Sequence, residues 1–258
     1  MLTFIGLGLY GAEDISLKAL KAIKEADKVY LEFYTSRLMG ASIEEMEDLY
    51  GKRIEILSRE DVEQKREFLK EALDKNVVFL TAGDPMVATT HVDLRIEAIK
   101  RGIDVRIIHG ASIVSAAPGL LGLQAYKFGK TGSIPYPEEN FRPTTPYKVL
   151  LDNLSMGLHT LFLLDIKEDG RYMSPSEAVA LLLEMGEELG DETFNENSLV
   201  CAVSRAGSDY PGLWCGKAKD ALERDFGPPL HCLIIPGKLH FMEEEAIELI
   251  MNNISDKG

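Results

Sequence analysis

The sequence has few cysteines, a shortage of basic residues and no long hydrophobic run. Three cysteines in 258 residues are too few, and odd in number, for a disulfide framework, and they indicate a reducing compartment. Lysine and arginine total 28 against 42 acidic residues, which gives a net charge of −14. Because nucleic acid phosphates would be repelled by such a surface, we expect no nucleic acid partner.

A membrane span and a signal peptide are not expected either. The most apolar stretch, 111–123, is interrupted by Pro118, Gly119 and Gly122. It is also shorter than the roughly 18 residues that a spanning helix needs. No basic segment precedes the first strand pattern. We therefore expect a soluble, cytoplasmic protein.

Several catalytic signatures are missing as well. The sequence contains no G-x-S-x-G elbow and no P-loop lysine. Its five histidines show no metal-ligand spacing, so we expect no metal site. We name no catalytic residue. His109 and His159 flank apolar strands and are expected to be satisfied buried or edge residues.

Alternating short apolar runs and amphipathic stretches predict an α/β fold with two domains. The first should hold a mostly parallel sheet flanked by helices. The second should hold a mixed sheet with helices, because 212–216 resembles a hairpin strand. A helix-like stretch, 112–117, leads to the proline- and glycine-rich segment 127–146, which interrupts all periodicity. The predicted domains are therefore 1–125 and 126–258.

Two predicted helices in the first domain carry side-chain expectations. The stretch 15–26 predicts a helix with Leu17 facing inward and Asp14 available as its N-cap. The stretch 62–73 predicts a helix with Leu73 facing inward.

The first loop contains a dinucleotide-like pattern. Gly6, Gly8 and Gly11 match G-x-G-x-x-G between a strand and a helix, and Glu32 ends the next strand. An NAD(P)-dependent dehydrogenase is therefore one hypothesis. The spacing argues against it, because residues 12–14 intervene before the helix and include two carboxylates that would repel a pyrophosphate. They would not repel a cationic ligand without phosphate. A tight turn without any ligand is the structural alternative.

Two further loops follow strand patterns. Asp84 comes after the buried run 77–81, where ligands of parallel sheets bind. Its carboxylate either caps its own turn or faces the ribose hydroxyls or ammonium group of a ligand. Residues 89–91 are expected to cap and begin the next helix. Ser112 is either an N-cap or part of a small-residue turn where a ligand contacts the backbone of Ser112 and Ile113.

Segments throughout the chain resemble the tetrapyrrole-methylase-like class of S-adenosylmethionine methyltransferases, and within it the diphthine synthase family. GDP alone is a class-wide signal, whereas YKFG, GLHTL-LLDIK and PGKLH are specific to that family. Ala82 departs from the proline that commonly precedes GDP there. The segments are FIGLGLYGAEDIS (4–16), VYLEFYTS (29–36), SREDVE (58–63), GDPMVATTH (83–91), ASIVSA (111–116), YKFGKT (126–131), GLHTLFLLDIK (157–167), SRAGS (204–208) and PPLHCLIIPGKLH (228–240).

This resemblance implies a homodimer that binds S-adenosylmethionine in a cleft between its two domains. The implied substrate is translation elongation factor 2, on a histidine that carries a 3-amino-3-carboxypropyl group, whose amino group is methylated repeatedly. From pattern alone, Leu163 and Leu230 would be core strand residues and Arg205 a surface cation. The implied cofactor contacts are Leu9, Asp84, Val87, Ser112, Ile113, Leu163, Arg205 and Leu230.

Aromatic residues in the first two loops raise a hypothesis about the methyl acceptor. The rings of Tyr10, Phe33 and Tyr34 could favour a methylated ammonium, or they could simply pack in the core or at its rim. A tetrapyrrole-precursor C-methyltransferase is an alternative function. It is less favoured, because an anionic macrocycle would bind to basic residues and the chain has a net charge of −14. A non-catalytic interaction module is disfavoured by three loops that each allow close ligand approach.

Overall fold

The computed structural model describes residues 1–138, 142–167 and 169–255, and their side chains up to residue 252. By internal contacts the chain forms two compact units, Met1–Ile113 with Gly207–Asp209, and Val114–Ala206 with Tyr210–Gly258. The units divide at Ile113, ahead of the boundary that was predicted after residue 125. Residues 139–141 of the predicted junction segment lie outside the described residues.

The sheet of the first unit consists of β1 (Leu2–Gly6), β2 (Lys28–Glu32), β3 (Glu55–Leu57), β4 (Val77–Thr81) and β5 (Val105–Ile108). All of its neighbouring strands are parallel, in the order β3-β2-β4-β1-β5. Every residue of β1 and β4 is buried, as expected for strands that are covered on both faces. The prediction of a parallel N-terminal sheet is confirmed.

Helices cover both faces of this sheet; they are α1 (Leu17–Glu25), α2 (Ile43–Tyr50), α3 (Glu67–Glu71) and α4 (His91–Lys100). Successive residues of a strand point to opposite faces. Ile5 and Leu80 therefore join the hydrophobic cluster of α1 and α2, whereas Phe4 and Phe79 join that of α3 and α4.

Two helix details in this unit were predicted wrongly. Leu17 is 85% exposed, because α1 begins at Leu17 itself and Ser16 is its N-cap. Asp14 is therefore not the cap of α1. Leu73 is 55% exposed, because a π-helical turn and the left-handed backbone of Arg66 (φ 51°) interrupt the predicted helix before α3.

The sheet of the second unit is mixed, as predicted. It consists of β6 (Gly132–Ile134), β7 (Thr160–Leu164), β8 (Leu199–Ser204), β9 (Gly212–Lys217) and β10 (His231–Ile235). Its order is β6-β7-β10-β8-β9, with β6 parallel to β7 and the other pairs antiparallel. β6 was missed because its three residues, which begin with Gly132 and are followed by Pro135, give no alternation to detect.

The helices that follow β5 are α5 (Ile113–Leu121), α6 (Thr145–Ser155), α7 (Pro175–Leu189), α8 (Ala218–Leu222) and α9 (Phe241–Ser255). α5 continues through Pro118, beyond the stretch 112–117 that was predicted. A buried cluster that includes Tyr147, Phe162, Leu182 and Trp214 forms the core of this unit. Among the helices that the structure describes, none has the length and apolar character to cross a membrane.

A buried ionic cluster joins the start of α9 to the chain before β6 and β7. The carboxylate of Glu243 accepts hydrogen bonds from Lys127 Nζ, from the Gln124 N–H at 2.8 Å and from His159 Nε2 at 3.1 Å. His159 is fully buried, and its Nδ1 accepts from the Gly237 N–H at 2.9 Å, which leaves the ring proton on Nε2. Burial alone would raise the pKa of Glu243, but these hydrogen bonds hold it at about 2. The expectation of a satisfied, buried His159 is confirmed.

Replacing Glu243 by glutamine should destabilise the protein, because the amide must place donors against Lys127 and the His159 N–H. We expect a loss of about 2–4 kcal/mol, which lowers Tm by roughly 5–12 °C. Thermal unfolding at pH 7 measures this change. The exposed neighbour Glu244, replaced in the same way, should change Tm by less than about 2 °C. Equal Tm values for the two variants would contradict a structural role for the cluster.

Candidate active site

Three loops of the first unit lie side by side beyond the carboxyl ends of β1, β4 and β5. They are loop 1 (7–11), loop 2 (82–90) and loop 3 (109–112). Gly8 and Gly83 exchange backbone hydrogen bonds at 2.7 and 3.3 Å. A Cβ on Gly6 or on Gly110 would collide with the Gly83 carbonyl oxygen, so backbone packs directly on backbone here. The loops that carry Leu9, Asp84 and Ser112 therefore meet within one unit.

Loop 1 is closed by its own carboxylate. Asp14 Oδ2 accepts hydrogen bonds from the backbone N–H groups of Leu9, Tyr10 and Gly11 at 3.1, 2.7 and 3.2 Å. In a dinucleotide fold, backbone N–H groups of the glycine loop approach the pyrophosphate. Here those donors already hold a negative charge, and a phosphate would have to displace it. The geometry explains why the G-x-G-x-x-G pattern does not build a nucleotide phosphate site.

Glu32 is not available to a ribose, which removes the second element of the dehydrogenase hypothesis. It is fully buried and accepts hydrogen bonds from Thr35 Oγ1 at 2.5 Å, from the Thr35 N–H at 3.1 Å and from Thr81 Oγ1. Its Oε1 lies 3.6 Å from Nε2 of His91, which is also fully buried. Glu32 is thus a buried carboxylate whose oxygens are bonded to Thr35 and Thr81 and not exposed to a ligand.

His91 links this interior carboxylate to loop 2. Its Nδ1 lies 3.1 Å from the Pro85 carbonyl oxygen, which can only accept, so Nδ1 carries a proton. Thr89 Oγ1 donates to the same oxygen at 3.1 Å. Burial lowers the pKa of His91, and the nearby charge of Glu32 opposes that shift. Thr90 precedes α4 and His91 begins it, as expected, but the Thr90 side chain makes no capping hydrogen bond. Thr89 and His91 instead hold the turn after Asp84 in place.

Both carboxylate oxygens of Asp84 are engaged within the unit. Oδ1 accepts from the Met86 N–H at 2.9 Å, the turn-capping contact expected of this residue. Oδ2 lies 2.8 Å from Nδ1 of His109 in loop 3. The Asp84 side chain is 6% exposed, whereas the imidazole is 69% exposed. His109 is therefore a satisfied edge residue, but it is not buried.

The end of loop 2 has an unusual backbone. Ala88 adopts φ 55°, a left-handed conformation that is uncommon for residues other than glycine. The preceding Val87, one of the predicted cofactor contacts, exposes 37% of its surface. Such local strain is typical of segments that surrounding contacts hold in a functional shape.

The remaining predicted contacts lie together in the second unit. Leu163 is near the end of β7 and pairs with Cys232 of β10, and Arg205 directly follows β8. The Arg205 N–H donates to the Leu230 carbonyl oxygen at 2.8 Å, and its guanidinium donates to the Pro228 carbonyl oxygen at 3.3 Å. Arg205 also has φ 50°. It is tied to the segment before β10 and is not a free surface cation.

The aromatic residues do not form one cage. Phe33 packs with the cluster of α1 and α2, whereas Tyr34 packs with the cluster of α3 and α4 on the opposite face. The guanidinium of Arg59 lies 5.3 Å from the centroid of the Tyr34 ring. The Tyr10 ring lies against the backbone of Gly40. For Phe33 and Tyr34 the packing interpretation is therefore the right one.

The fold and these loops place the chain in a known class. The model of the family described as Tetrapyrrole (Corrin/Porphyrin) Methylases matches residues 1–221, and the chain belongs to that family. The class predicted from the motifs is confirmed.

Within this class, the relatives are diphthine synthases. The chain is 54% identical to the diphthine synthase of Methanosarcina mazei and 54% identical to that of Methanocaldococcus jannaschii, with 98% of the chain and 100% of each relative covered. A crystal structure of a diphthine synthase matches with a TM-score of 0.89 at 41% identity, over 97% of this chain and 96% of that one. A putative diphthine synthase from Entamoeba histolytica matches with a TM-score of 0.89 at 37% identity, over 97% and 98%. The chain is a methyltransferase of diphthamide biosynthesis, and neither the dehydrogenase nor the tetrapyrrole alternative is favoured.

Sequence reasoning missed three features of this site: the closure of loop 1 by Asp14, the approach of buried Glu32 to within 3.6 Å of His91, and the pairing of Asp84 with His109. The last pair left a signal. Both residues come at or just after the ends of strands that pair with β1, and carboxyl ends of parallel strands meet at one edge of a sheet. Among the described residues, no group of three or more histidine, cysteine or acidic side chains is placed to hold a metal ion.

Removing the Asp14 carboxylate should open loop 1. Asp14→Ala leaves three backbone N–H groups without their acceptor, and we expect a loss of about 1–3 kcal/mol in stability. Asp14→Asn keeps an oxygen without the charge, so its stability should lie between that of Asp14→Ala and that of the wild type. Thermal unfolding measures both. The exposed neighbour Glu13, changed to alanine, is the control, and an equally small effect at the two positions would refute the closure.

Replacing Glu32 by glutamine should also destabilise the first unit. One side of the amide becomes a donor and must face the hydroxyl or N–H donors of Thr35 and Thr81. We expect about 1–3 kcal/mol, seen as a Tm that is roughly 3–10 °C lower. The exposed Glu44, replaced by glutamine, should leave Tm almost unchanged. A wild-type Tm for the Glu32 variant would show that its acceptors are not required.

Proposed function

We propose that the chain repeatedly transfers methyl groups from S-adenosylmethionine to an amine of translation elongation factor 2. The acceptor is the amino group of a 3-amino-3-carboxypropyl arm on a histidine. The observation that carries this proposal is the similarity to diphthine synthases, at 54% identity over 98% of the chain. We further propose a cytoplasmic homodimer; the family resemblance supports the homodimer, and the three cysteines suit a reducing cytoplasm.

The residues of the first unit fit a nucleoside without phosphate. Loop 1 offers its N–H groups to Asp14, so it favours a ligand that carries no phosphate. The Ser208 hydroxyl is buried without a hydrogen-bond partner among the described residues, and the adjacent Gly207 packs against Leu9. A polar group of a ligand would satisfy it. Leu9, Asp84, Val87, Ser112 and Ile113 would hold the cofactor in this unit, and Leu163, Arg205 and Leu230 are its proposed contacts in the second unit.

Bound S-adenosylmethionine would supply a methyl group on a sulfonium centre, with a neutral thioether as the leaving group when an amine attacks the methyl carbon. The protein has to hold the amine in line with that methyl group and exclude water. The backbone contacts among Gly6, Gly83 and Gly110 fix the loops for this task, because they leave no side chains between the strand ends.

Ligand-induced stabilisation should separate the cofactor classes. A ligand present at about 100 times its Kd stabilises the folded protein by about 2.7 kcal/mol, which corresponds to a Tm increase of roughly 5–11 °C. S-adenosylhomocysteine should produce such an increase, and NADH at the same concentration should not. Stabilisation by NADH and not by S-adenosylhomocysteine would support the dehydrogenase hypothesis instead.

Methyl transfer is tested by incubating the protein with S-adenosylmethionine and elongation factor 2 that carries the modified histidine. Intact mass spectrometry should show increments of one, two and three methyl groups. Elongation factor without the modification, and a tetrapyrrole precursor, should gain none. Binding of S-adenosylhomocysteine without any methylation of the modified factor would contradict the proposed substrate but not the proposed cofactor.

A further inference from the structure

Asp84 and His109 form a carboxylate–imidazole pair across the edge of the first sheet. Asp84 lies in loop 2 after β4 and His109 directly follows β5, and β1 lies between those two strands. The Oδ2–Nδ1 distance is 2.8 Å. The carboxylate is 6% exposed and the imidazole 69% exposed, so the ring is the accessible member of the pair.

The hydrogen bond fixes the form of the imidazole. Oδ1 of Asp84 accepts from the Met86 N–H, and an ionised Oδ2 can only accept, so Nδ1 of His109 carries the proton. In the neutral ring the lone pair is then on Nε2. A histidine held in one tautomer by a buried carboxylate is the arrangement that general bases use.

Methyl transfer to an amine releases a proton that such a group can accept. An alkyl ammonium has a pKa of roughly 8–10 and is mostly protonated near neutral pH, so it has no lone pair with which to attack. One proton has to leave the nitrogen before each transfer. The neutral amine then forms an N–C bond to the methyl group while the C–S bond breaks, and the product is again an ammonium that must lose a proton before the next transfer.

We propose that Nε2 of His109 accepts this proton and that Asp84 positions the ring. The proposal rests on the proposed function of amine methylation. Asp84 itself is poorly suited to the task, because both of its oxygens are engaged, and a bare carboxylate beside the amine would stabilise the ammonium. The residues that pack against Gly83 of loop 2, Gly6 at the end of β1 and Gly110 in loop 3, carry no charge.

The test uses His109→Asn, whose side-chain amide can still donate to Asp84 but cannot take up a proton. Single-turnover methylation of the modified elongation factor at pH 7 should be at least about 100-fold slower than in the wild type. The Kd of S-adenosylhomocysteine should stay within about threefold. The rate of the variant should rise about tenfold per pH unit toward the pKa of the amine, because only the neutral fraction reacts. His240→Asn, at an exposed histidine of the second unit, is the matched control and should behave as wild type.

Two results would overturn the proposal. One is a wild-type rate for His109→Asn. The other is a loss of rate that parallels a loss of S-adenosylhomocysteine binding and does not recover at high pH, which would make His109 a cofactor-binding residue. A wild-type protein that adds no methyl group to the modified factor would instead refute the proposed function, so the two failures are distinguishable.

Discussion

Asp14 accepts hydrogen bonds from three backbone N–H groups of loop 1, and these bonds decide what kind of ligand the first unit can bind. A glycine-rich turn after the first strand of a parallel sheet otherwise presents its amides to an anion. Here the anion is the carboxylate of Asp14, which accepts a hydrogen bond from the Tyr10 N–H. The same glycines then allow close backbone approach without creating a phosphate site. The sequence motif is shared with nucleotide-binding folds, and the chemistry of the loop is opposite to theirs.

Strand positions and sheet types followed from sequence because long apolar runs and their spacing are local signals. The buried run 77–81 coincides with β4, and the hairpin-like stretch 212–216 lies within β9. Failures came where tertiary contacts override local pattern. Leu17 has an inward spacing, yet it is the first residue of its helix, and β6 is too short to show any alternation.

The candidate site was only partly predictable for a related reason. Asp84 and Ser112 can be found from their positions after strands, since parallel strands end at a common edge. These positions bring Asp84 and His109 to one edge of the sheet, but they do not show that the two side chains bond. The 3.6 Å approach of Glu32 to His91 leaves no such signal, because His91 begins a helix and does not follow a strand end directly. The acidic composition also makes buried carboxylates hard to recognise in the sequence. Glu32 and Glu243 are buried and hydrogen-bonded, whereas many other acidic residues are exposed to solvent.

The close packing of Gly6, Gly83 and Gly110 has an evolutionary consequence. Main-chain atoms set the closest approach of the three loops, so many ligand-facing side chains can change without moving that contact. One scaffold can therefore exchange its specificity residues without rebuilding its frame. That independence offers a physical reason why a single architecture includes both enzymes described as tetrapyrrole methylases and diphthine synthases.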